Sequence, residues 1–241
     1  MKLNELIELL DLCAYIPKHK TIIFGDVHLG YEESLSVRGV LIPRQQYGLT
    51  IDRLTKTLDS VSIETIVISG DLKHEFGTIN YTEKKYIVEF IKFLQNYCKT
   101  LVIIEGNHDP LLKPLAKNRG VVLCDYYSIG DSIICHGDSI LDDSLLDGIS
   151  RIIIGHEHPA ITLSDYPRKE TYKCALFGKY NNYDLLVLPS YNLLVPGTNV
   201  LTGKFLSPYL KNNKNGIDSF KVFIVGEEIL NFGTIKEIKK M

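Results

Sequence analysis

Five short apolar runs, rich in β-branched residues, constrain the fold of this chain more than any other feature of its sequence. Each run leads into a cluster of glycine and polar residues, and the five are TIIFGDVH (21–28), ETIVISGD (64–71), LVIIEGNHD (101–109), SIICHGD (132–138) and RIIIGHEH (151–158). Continuous apolar runs of this length predict β-strands that are buried on both faces. The sequence therefore predicts a fold in which buried strands deliver polar clusters.

Two segments between the early runs show helical periodicity. In residues 43–60 apolar side chains recur on one helical face, and Pro43 is predicted in the first turn. In residues 82–98 a second apolar face follows Thr82, which is predicted to cap the helix. The two faces consist of Tyr47, Ile51, Leu54 and Leu58, and of Tyr86, Phe90, Phe93, Leu94 and Tyr97. Alternating strands and helices predict an α/β fold whose first half is a largely parallel sheet.

The second half of the sequence has a different character. After Pro159, strand-like pieces at 173–180, 183–190, 219–226 and 227–235 are separated by Asn and Gly turns, which predicts hairpins. The opening segment is predicted as a hairpin from about Leu9 that turns at Pro17 to Lys20. No Pro/Gly/Ser-rich stretch divides the 241 residues. We therefore expect a single domain over 1–241, with a motif-bearing core at about 21–160 and a β-rich part at about 161–241 that completes a second sheet.

Composition excludes several classes of protein. The formal net charge is -2, so no overall basic field draws the chain to nucleic acid or to anionic membranes. Glu5, Glu8 and Asp11 interrupt the first apolar stretch, and no window of 18 uncharged apolar residues follows, so neither a secretory signal nor a membrane span is predicted. The five cysteines contain no C-x-x-C pair. A cytoplasmic, reduced protein is the expectation.

Six of the seven histidines lie in these polar clusters or just after them. In open α/β sheets the carboxyl ends of strands are where ligands bind. Asp26 and His28 are two residues apart, as are His156 and His158, so in extended backbone each pair would point to one side. The clusters offer seven oxygen or nitrogen ligands, which are too many for one tetrahedral site and suit two metal ions that share a carboxylate. These ligands are Asp26, His28, Asp71, Asn107, His136, His156 and His158.

The charges of these ligands indicate a substrate class. Two divalent ions and two aspartates leave a charge of about +2, because asparagine and neutral histidine add none. Such a surplus attracts an oxyanion and lowers the pKa of a bridging water. Phosphate esters are therefore the predicted substrates.

The motifs GDVHLG (25–30), GDLKH (70–74), GNHD (106–109), HGD (136–138) and GHEHP (155–159) resemble, in type and order, those of the calcineurin-like metallophosphoesterases. The stretches GDVHLGYE (25–32), RGVLIPRQQ (38–46), GDLKHEFG (70–77) and LPSYNLL (188–194) further resemble the SbcD-related archaeal phosphoesterases and the DNA ligase-associated metallophosphoesterases. This resemblance implies a four-layer sandwich of two mixed β-sheets flanked by α-helices.

The resemblance also implies roles for individual residues. It assigns Asp26, His28 and His158 to one metal ion, Asn107, His136 and His156 to a second, and Asp71 to a bridge between them. A metal-bridging hydroxide would attack phosphorus, His108 would protonate the leaving alkoxide, and Asp109 would hold the His108 imidazole. Manganese is the first choice for both ions, with iron and zinc as alternatives.

Departures from other branches of the superfamily narrow the expectation. The residues after Asp71 are not the Asp-Arg-Gly of protein phosphatases, and the third motif ends in Asp109 where those enzymes have glutamate. Purple acid phosphatases need a tyrosine where this chain has His74. Nucleases of the SbcD type often carry histidine there, so His74 is a candidate substrate-binding residue, with a hydrogen bond to a ligand residue or a capping role as alternatives.

We therefore predict a dinuclear metal-dependent phosphoesterase, and most specifically a phosphodiesterase acting on nucleotides or single-stranded nucleic acid. A phosphomonoesterase or nucleotide pyrophosphatase is the alternative among enzymes, and a metal-bearing scaffold without turnover is the alternative from another class. Lys73, Arg38 and Arg44 are candidates for a phosphate-binding rim, although solvated charges are the favoured interpretation. Association with DNA-repair proteins and a homo-oligomer are left open.

Overall fold

The computed structural model describes residues 1–40, 42–75, 81–109, 111–116, 119–165 and 167–240. Its α-helices are α1 (Tyr31–Val37), α2 (Gln46–Leu58), α3 (Tyr81–Gln95), α4 (Lys113–Ala116), α5 (Pro208–Lys211) and α6 (Ile235–Ile238). Short 3-10 segments lie at Pro17–His19, Asp143–Leu146 and Val200–Thr202. Within these residues, no helix has the length and apolar character needed to cross a membrane.

The first sheet follows the order of the chain. Its six strands are β1 (Glu8–Leu10), β2 (Cys13–Ile16), β3 (Thr21–Phe24), β4 (Thr65–Ile68), β5 (Thr100–Ile104) and β6 (Val121–Cys124). The first three strands are antiparallel neighbours, and β3, β4, β5 and β6 run parallel. Both the predicted parallel sheet and the predicted hairpin at Pro17 to Lys20 are confirmed.

The second sheet contains the remaining strands. They are β7 (Tyr126–Ile129), β8 (Ser132–Cys135), β9 (Arg151–Ile154), β10 (Pro159–Asp165), β11 (Arg168–Tyr180), β12 (Tyr183–Val187), β13 (Thr198–Asn199), β14 (Lys221–Val225) and β15 (Ile229–Thr234). The predicted hairpins are present as the antiparallel pairs β11–β12 and β14–β15. In the middle of the sheet β8, β9 and β12 run parallel, so this sheet is mixed as well.

Strand alternation explains how the layers pack. In β3, Ile22 and Phe24 face a core that also contains residues of α2 and α3, whereas Ile23 faces the core between the two sheets. In β9, Ile153 faces the core between the sheets and Ile152 faces an outer core shared with α5 and α6. Strands with helices or a second sheet on both sides must be apolar throughout, which is the pattern that the sequence shows. The predicted arrangement of two mixed sheets flanked by helices is confirmed.

The two predicted helices have the expected apolar faces but start differently. Leu54 and Leu58 of α2, and Phe90 and Leu94 of α3, are buried in the helix-facing core. The prediction that Pro43 lies in the first turn is wrong, since α2 begins at Gln46. The N–H of Gln46 donates to a carboxylate oxygen of Glu32 at 3.2 Å, so a side chain from α1 fixes this helix start. Thr82 lies inside α3 rather than capping it.

Candidate metal centre

The polar clusters of both sheets meet at one edge of the sandwich. In the first sheet the loops after β3, β4 and β5 lie side by side, because these strands are parallel. Backbone bonds join the first two loops, since the N–H of Asp26 donates to Gly70 O and that of His28 donates to Asp71 O, each at 3.0 Å. The N–H of His156, from the loop after β9, donates to the Asp26 carboxylate at 3.0 Å. This last bond connects the two sheets at the site.

One group of side chains combines residues of both sheets. Asp26 and His28 follow β3, and His158 follows β9. Their ligand atoms all lie within 4.8 Å of one another. His158 Nε2 is 3.3 Å from Asp26 Oδ1 and also 3.3 Å from His28 Nε2. These three residues form the set that the family resemblance implies for one metal ion.

A second group lies directly beside the first. Asp71, His136 and His156 also have their ligand atoms within 4.8 Å of one another. His136 Nε2 is 3.1 Å from His156 Nδ1 and 3.0 Å from Asn107 Oδ1, so Asn107 belongs to the same cluster. The carboxylate of Asp71 contacts both groups, because its Oδ2 is 3.5 Å from His136 Nε2 and 3.7 Å from His28 Nε2. The structure thus brings all seven predicted ligand residues together.

The backbone at these ligands is not extended, so the reason given for pairing Asp26 with His28 and His156 with His158 is wrong. Non-glycine residues with left-handed φ angles at the site are Asp26 (53°), His28 (50°), Asp71 (50°), His156 (63°) and His158 (48°). Each such residue costs of order 1–3 kcal/mol and persists only where its surroundings hold it in place. The ligand atoms converge because tight turns aim them there, and strand alternation plays no part.

Gly106 illustrates how closely the loops approach each other. A Cβ atom at this position would lie 2.2 Å from Asp71 Oδ1 and 2.5 Å from the Asp71 backbone nitrogen. Any side chain at 106 would therefore push the loop after β5 away from the loop after β4. Glycine at position 106 therefore allows the two loops to lie in direct contact.

The site has the chemical features of a place for cations. Two carboxylates, Asp26 and Asp71, are almost completely buried. Burial would raise the pKa of Asp71, but its hydrogen bond with His136 holds that pKa below its ordinary value. Burial lowers the pKa of His28 to about 3, so this imidazole is neutral and offers a lone pair. Buried carboxylates, paired imidazole nitrogens and an amide oxygen together form an oxygen and nitrogen donor set that fits divalent metal ions.

His108 lies at the edge of the two ligand groups. Its backbone N–H donates to Asp71 Oδ1 at 3.0 Å, and its Nε2 is 3.9 Å from Asp71 Oδ2. Its Nδ1 forms a hydrogen bond with the backbone carbonyl of His74. The side chain is 14% exposed, more than those of the buried ligands. One ring nitrogen of His108 is therefore bound to the His74 carbonyl, and the other lies beside the ligand cluster.

The prediction that Asp109 holds the His108 imidazole is wrong. Asp109 is fully buried, and its carboxylate accepts hydrogen bonds from the N–H groups of Leu72 (3.3 Å), Lys73 (3.2 Å) and Gly106 (3.1 Å). Burial raises the pKa of Asp109 to about 7. Its side chain therefore joins the loop after β4 to the loop after β5, whereas the ring of His108 is held by the backbone carbonyl of His74.

His74 lies next to His108, as a candidate substrate-binding residue should. The two rings are 5.6 Å apart at an interplanar angle of 26°, and the His28 ring is 5.5 Å from that of His74. Its Nδ1 has no hydrogen-bond partner among the residues that the structure describes. Burial, together with the nearby His108, lowers the pKa of His74 to about 4. A neutral ring with an unused nitrogen thus stands beside the cluster.

The three candidate cations of a phosphate rim differ from one another. Lys73 is fully buried, so both readings made from the sequence, a rim residue and a solvated charge, are wrong for it. Its backbone pairs with that of Leu29 in an isolated parallel β-bridge. Arg44 is bound to Glu33 at 2.9 Å. Arg38 is exposed, and its charge is among the causes that lower the pKa of His74.

Two buried carboxylates near the site were missed in the sequence. Glu157 stands between His156 and His158 and is fully buried, and its Oε2 accepts the N–H groups of Leu206 and Ser207, both at 2.8 Å. Glu83, in the first turn of α3, accepts the N–H groups of His74 and Glu75 at 3.0 and 3.1 Å. An acidic residue between two ligand histidines is a signal that could have identified Glu157. Glu83 looked like any polar residue of an amphipathic helix.

A solved structure of another protein shares this fold. The nuclease MPE of Pseudomonas putida superimposes with a TM-score of 0.65 over 93% of both chains at 16% sequence identity. Two further structures each give a TM-score of only 0.38. One is a protein of unknown function from Aquifex aeolicus, at 15% identity over 57% of this chain and 78% of that chain. The other is a Vps29 double mutant from Entamoeba histolytica, at 15% identity over 88% of this chain and 99% of that chain. A search of curated proteins found no match.

A family model identifies the class of protein. The model described as calcineurin-like phosphoesterase matches residues 19–195, which include all seven predicted ligand residues and His108. The chain belongs to this family. It is therefore a metal-dependent phosphoesterase, a hydrolase of a family that is typically dinuclear, and the two side-chain groups are candidate sites for its ions.

Proposed function

We propose that this phosphoesterase is a phosphodiesterase that acts on nucleotides or single-stranded nucleic acid, in the SbcD-related and ligase-associated branch of the family. The observation that carries the proposal is the position of His108. One nitrogen of its ring is bound to the His74 carbonyl, and the other lies 3.9 Å from Asp71 in a partly exposed position. A proton donor so placed suits an ester whose leaving oxygen must be protonated.

The ligand roles follow the two groups of side chains. In the proposal, Asp26, His28 and His158 hold one ion, Asn107, His136 and His156 hold the other, and Asp71 contacts both. Divalent ions bound there would neutralise charge on the phosphoryl group and lower the pKa of water. Manganese is proposed for both positions, because a donor set without thiolate suits manganese, iron and zinc and the family resemblance favours manganese.

His108 performs the proton transfer in this proposal. A water oxygen forms a bond to phosphorus while the bond from phosphorus to the leaving oxygen breaks. His108 Nε2 gives its proton to that oxygen, the attacking water releases one of its own protons to the solvent, and His108 takes up a proton again from the solvent. Overall, a diester and water become a phosphomonoester and an alcohol. The His74 carbonyl accepts a hydrogen bond from Nδ1–H throughout, which fixes the orientation of the ring.

Two features support a diester of nucleotides as the substrate class. The sequence resembles the SbcD type at GDLKHEFG, and the structure puts the distinguishing residue, His74, against His108. The Pseudomonas putida protein that shares the fold is named a nuclease, which makes nucleic acid a natural substrate to test.

A paired assay tests the proposal. Manganese-loaded protein should hydrolyse bis(p-nitrophenyl) phosphate with a higher kcat/KM than p-nitrophenyl phosphate, and EDTA should abolish both activities. The control is protein reloaded with manganese after EDTA, which should recover. A higher kcat/KM for the monoester would instead support a phosphomonoesterase, and two bound ions without hydrolysis of any ester would support the scaffold alternative.

A further inference from the structure

We propose that Tyr31 stacks against an unpaired nucleobase carried by the substrate, so that the enzyme selects diesters in which the base next to the scissile phosphate is free. This inference rests on the proposed phosphodiesterase activity and names the part of the substrate that the site recognises. The name aromatic shelf is used below for the rings of Tyr31 and His74, which lead away from His108.

The aromatic shelf begins at the proposed proton donor and extends outwards. The rings of His108 and His74 are 5.6 Å apart, and those of His74 and Tyr31 are 4.3 Å apart at 46°. The centre of the Tyr31 ring therefore lies less than about 10 Å from that of His108. A phosphate beside His108 would place an attached nucleoside over this shelf, where bases stack on aromatic faces.

The position of Tyr31 is fixed by the ligand loop itself. Its backbone N–H donates to the carbonyl of His28 at 3.2 Å, directly after Gly30, whose φ of 91° suits glycine. The side chain is only partly buried. Tyr31 also lines a cleft beside His28 together with Tyr47 and Tyr86, whose rings stack at 4.5 Å and 7°. A rigidly anchored and partly exposed ring is well suited to receive a base.

The charge near the aromatic shelf also fits a nucleotide chain. Arg38 lies at the end of α1, the helix that Tyr31 begins, and is exposed. Its charge is among the causes that lower the pKa of His74, so this cation would attract the phosphates of a chain whose base lies on the shelf. Arg44 is less available, because Glu33 binds it at 2.9 Å. Aromatic faces beside a cation are the combination that proteins use to bind single strands without reading their sequence.

A pair of small substrates isolates the contribution of the base. Thymidine 5′-(p-nitrophenyl phosphate) and methyl p-nitrophenyl phosphate have the same charge and leaving group, but only the first carries a base. We expect kcat/KM to be higher for the thymidine ester, and Tyr31→Ala to lower the ratio of the two values by about tenfold. Tyr31→Phe is the matched control, since phenylalanine keeps the aromatic face, and should retain the wild-type ratio.

Several outcomes would overturn the inference. An unchanged ratio in Tyr31→Ala would mean that Tyr31 only packs against His74. A wild-type ratio near one, or equal cleavage of a single-stranded oligonucleotide and its duplex, would show that no free base is recognised. Parallel DNA and RNA oligonucleotides would show which sugar the site accepts.

A binding measurement separates this inference from the proposed function. By calorimetry with manganese-loaded protein, thymidine 5′-monophosphate should bind more tightly than inorganic phosphate, and Tyr31→Ala should remove the difference. If the protein hydrolyses neither ester but shows this binding pattern, the proposed function fails and the aromatic shelf stands. If it hydrolyses the methyl ester but binds both ligands equally, the shelf fails and the phosphodiesterase stands.

Discussion

The two sheets contribute unequal halves to the metal centre. Loops of the first sheet supply both carboxylates, the amide and the proposed proton donor, whereas loops of the second sheet supply histidines alone. The residues of the first half are Asp26, His28, Asp71, Asn107 and His108, and those of the second half are His136, His156 and His158. In each half a buried carboxylate accepts hydrogen bonds from backbone N–H groups and so holds the loops in place. This residue is Asp109 in the first half and Glu157 in the second.

The two halves also differ in the pKa values of their histidines. Burial lowers the pKa of His28, in the first half, to about 3. In the second half burial alone would lower the pKa of His136, but its hydrogen bond with Asp71 and the charge of Asp26 raise it to about 9. Without metal, the negative charge of the two carboxylates in the first half is therefore offset in part by a proton held on His136 in the second. Cations would replace that proton.

The largest effect is expected from Asp71, the residue that contacts both halves. Asp71→Asn keeps the oxygen that accepts the His108 N–H and tolerates the left-handed backbone, but it removes a negative charge between the two groups. We expect loss of at least one ion per chain, by elemental analysis, and a fall in kcat/KM of at least about 10³-fold. Full metal content in this variant would contradict the bridging role.

The next largest effect is expected from His108, which belongs to the first half only and is not proposed as a ligand. His108→Ala should lower kcat by about 10²- to 10⁴-fold, because the leaving oxygen loses its proton donor. Metal content should stay near that of the wild type. If His108→Ala instead lost metal but kept its turnover per bound ion, His108 would be a metal ligand, and the assignments of His108 and Asn107 would be reversed.

The two buried carboxylates provide a matched comparison. Both carboxylate oxygens of Asp109 accept hydrogen bonds from backbone N–H groups. In Asp109→Asn at least one of these N–H groups would therefore meet the side-chain NH2 group, which is itself a donor. Glu157 binds both of its N–H groups through Oε2, so Glu157→Gln can keep both bonds. At pH 8, denaturant unfolding should show a loss of about 1–3 kcal/mol in the free energy of unfolding for Asp109→Asn and less than about 1 kcal/mol for Glu157→Gln. Equal losses would show that the two halves are not fixed in the way described.

A further effect concerns the pH dependence of metal binding. Since the pKa of His136 is about 9 in the metal-free fold, against an ordinary value of 6.5, metal binding must displace a proton across this range. The apparent affinity for manganese should rise by about tenfold per pH unit between pH 6.5 and 8.5. Calorimetry in buffers of different ionisation enthalpy should detect the released proton, and a pH-independent affinity would contradict the assignment.

The same shift makes a statement about stability. A pKa that is raised in the folded state means that protonated His136 stabilises the metal-free fold below about pH 6.5. That contribution is lost as the pH rises through about 9. Metal-free protein should therefore unfold at a lower denaturant concentration at pH 9 than at pH 7.

Much of the fold could be predicted from the sequence because buried strands leave a strong pattern. Runs such as LVII at 101–104 must be apolar on both faces when one side packs on helices and the other on a second sheet. Helix starts were harder to predict. The start of α2 depends on a bond from Gln46 to the distant Glu32, which local spacing around Pro43 does not reveal.

The residues of the site could be predicted, but the way they are held could not. Motif order was enough to gather Asp26 and His158, which are far apart in the chain, into one group. Their left-handed backbone lies where loops are hydrogen-bonded to one another, since the Asp26 N–H donates to Gly70 O and the Thr198 N–H donates to His158 O. For the same reason Asp109 was assigned to the neighbouring imidazole, when its actual partners belong largely to another loop.

Both side-chain groups combine ligands from the two sheets, so each bound ion would tie one sheet to the other. Binding to the folded state alone raises its stability in proportion to the logarithm of the free ion concentration. A cell short of the metal would then hold a protein that is easier to open and easier for proteases to cut. The lifetime of the polypeptide, as well as its catalysis, would thus report the supply of the ion.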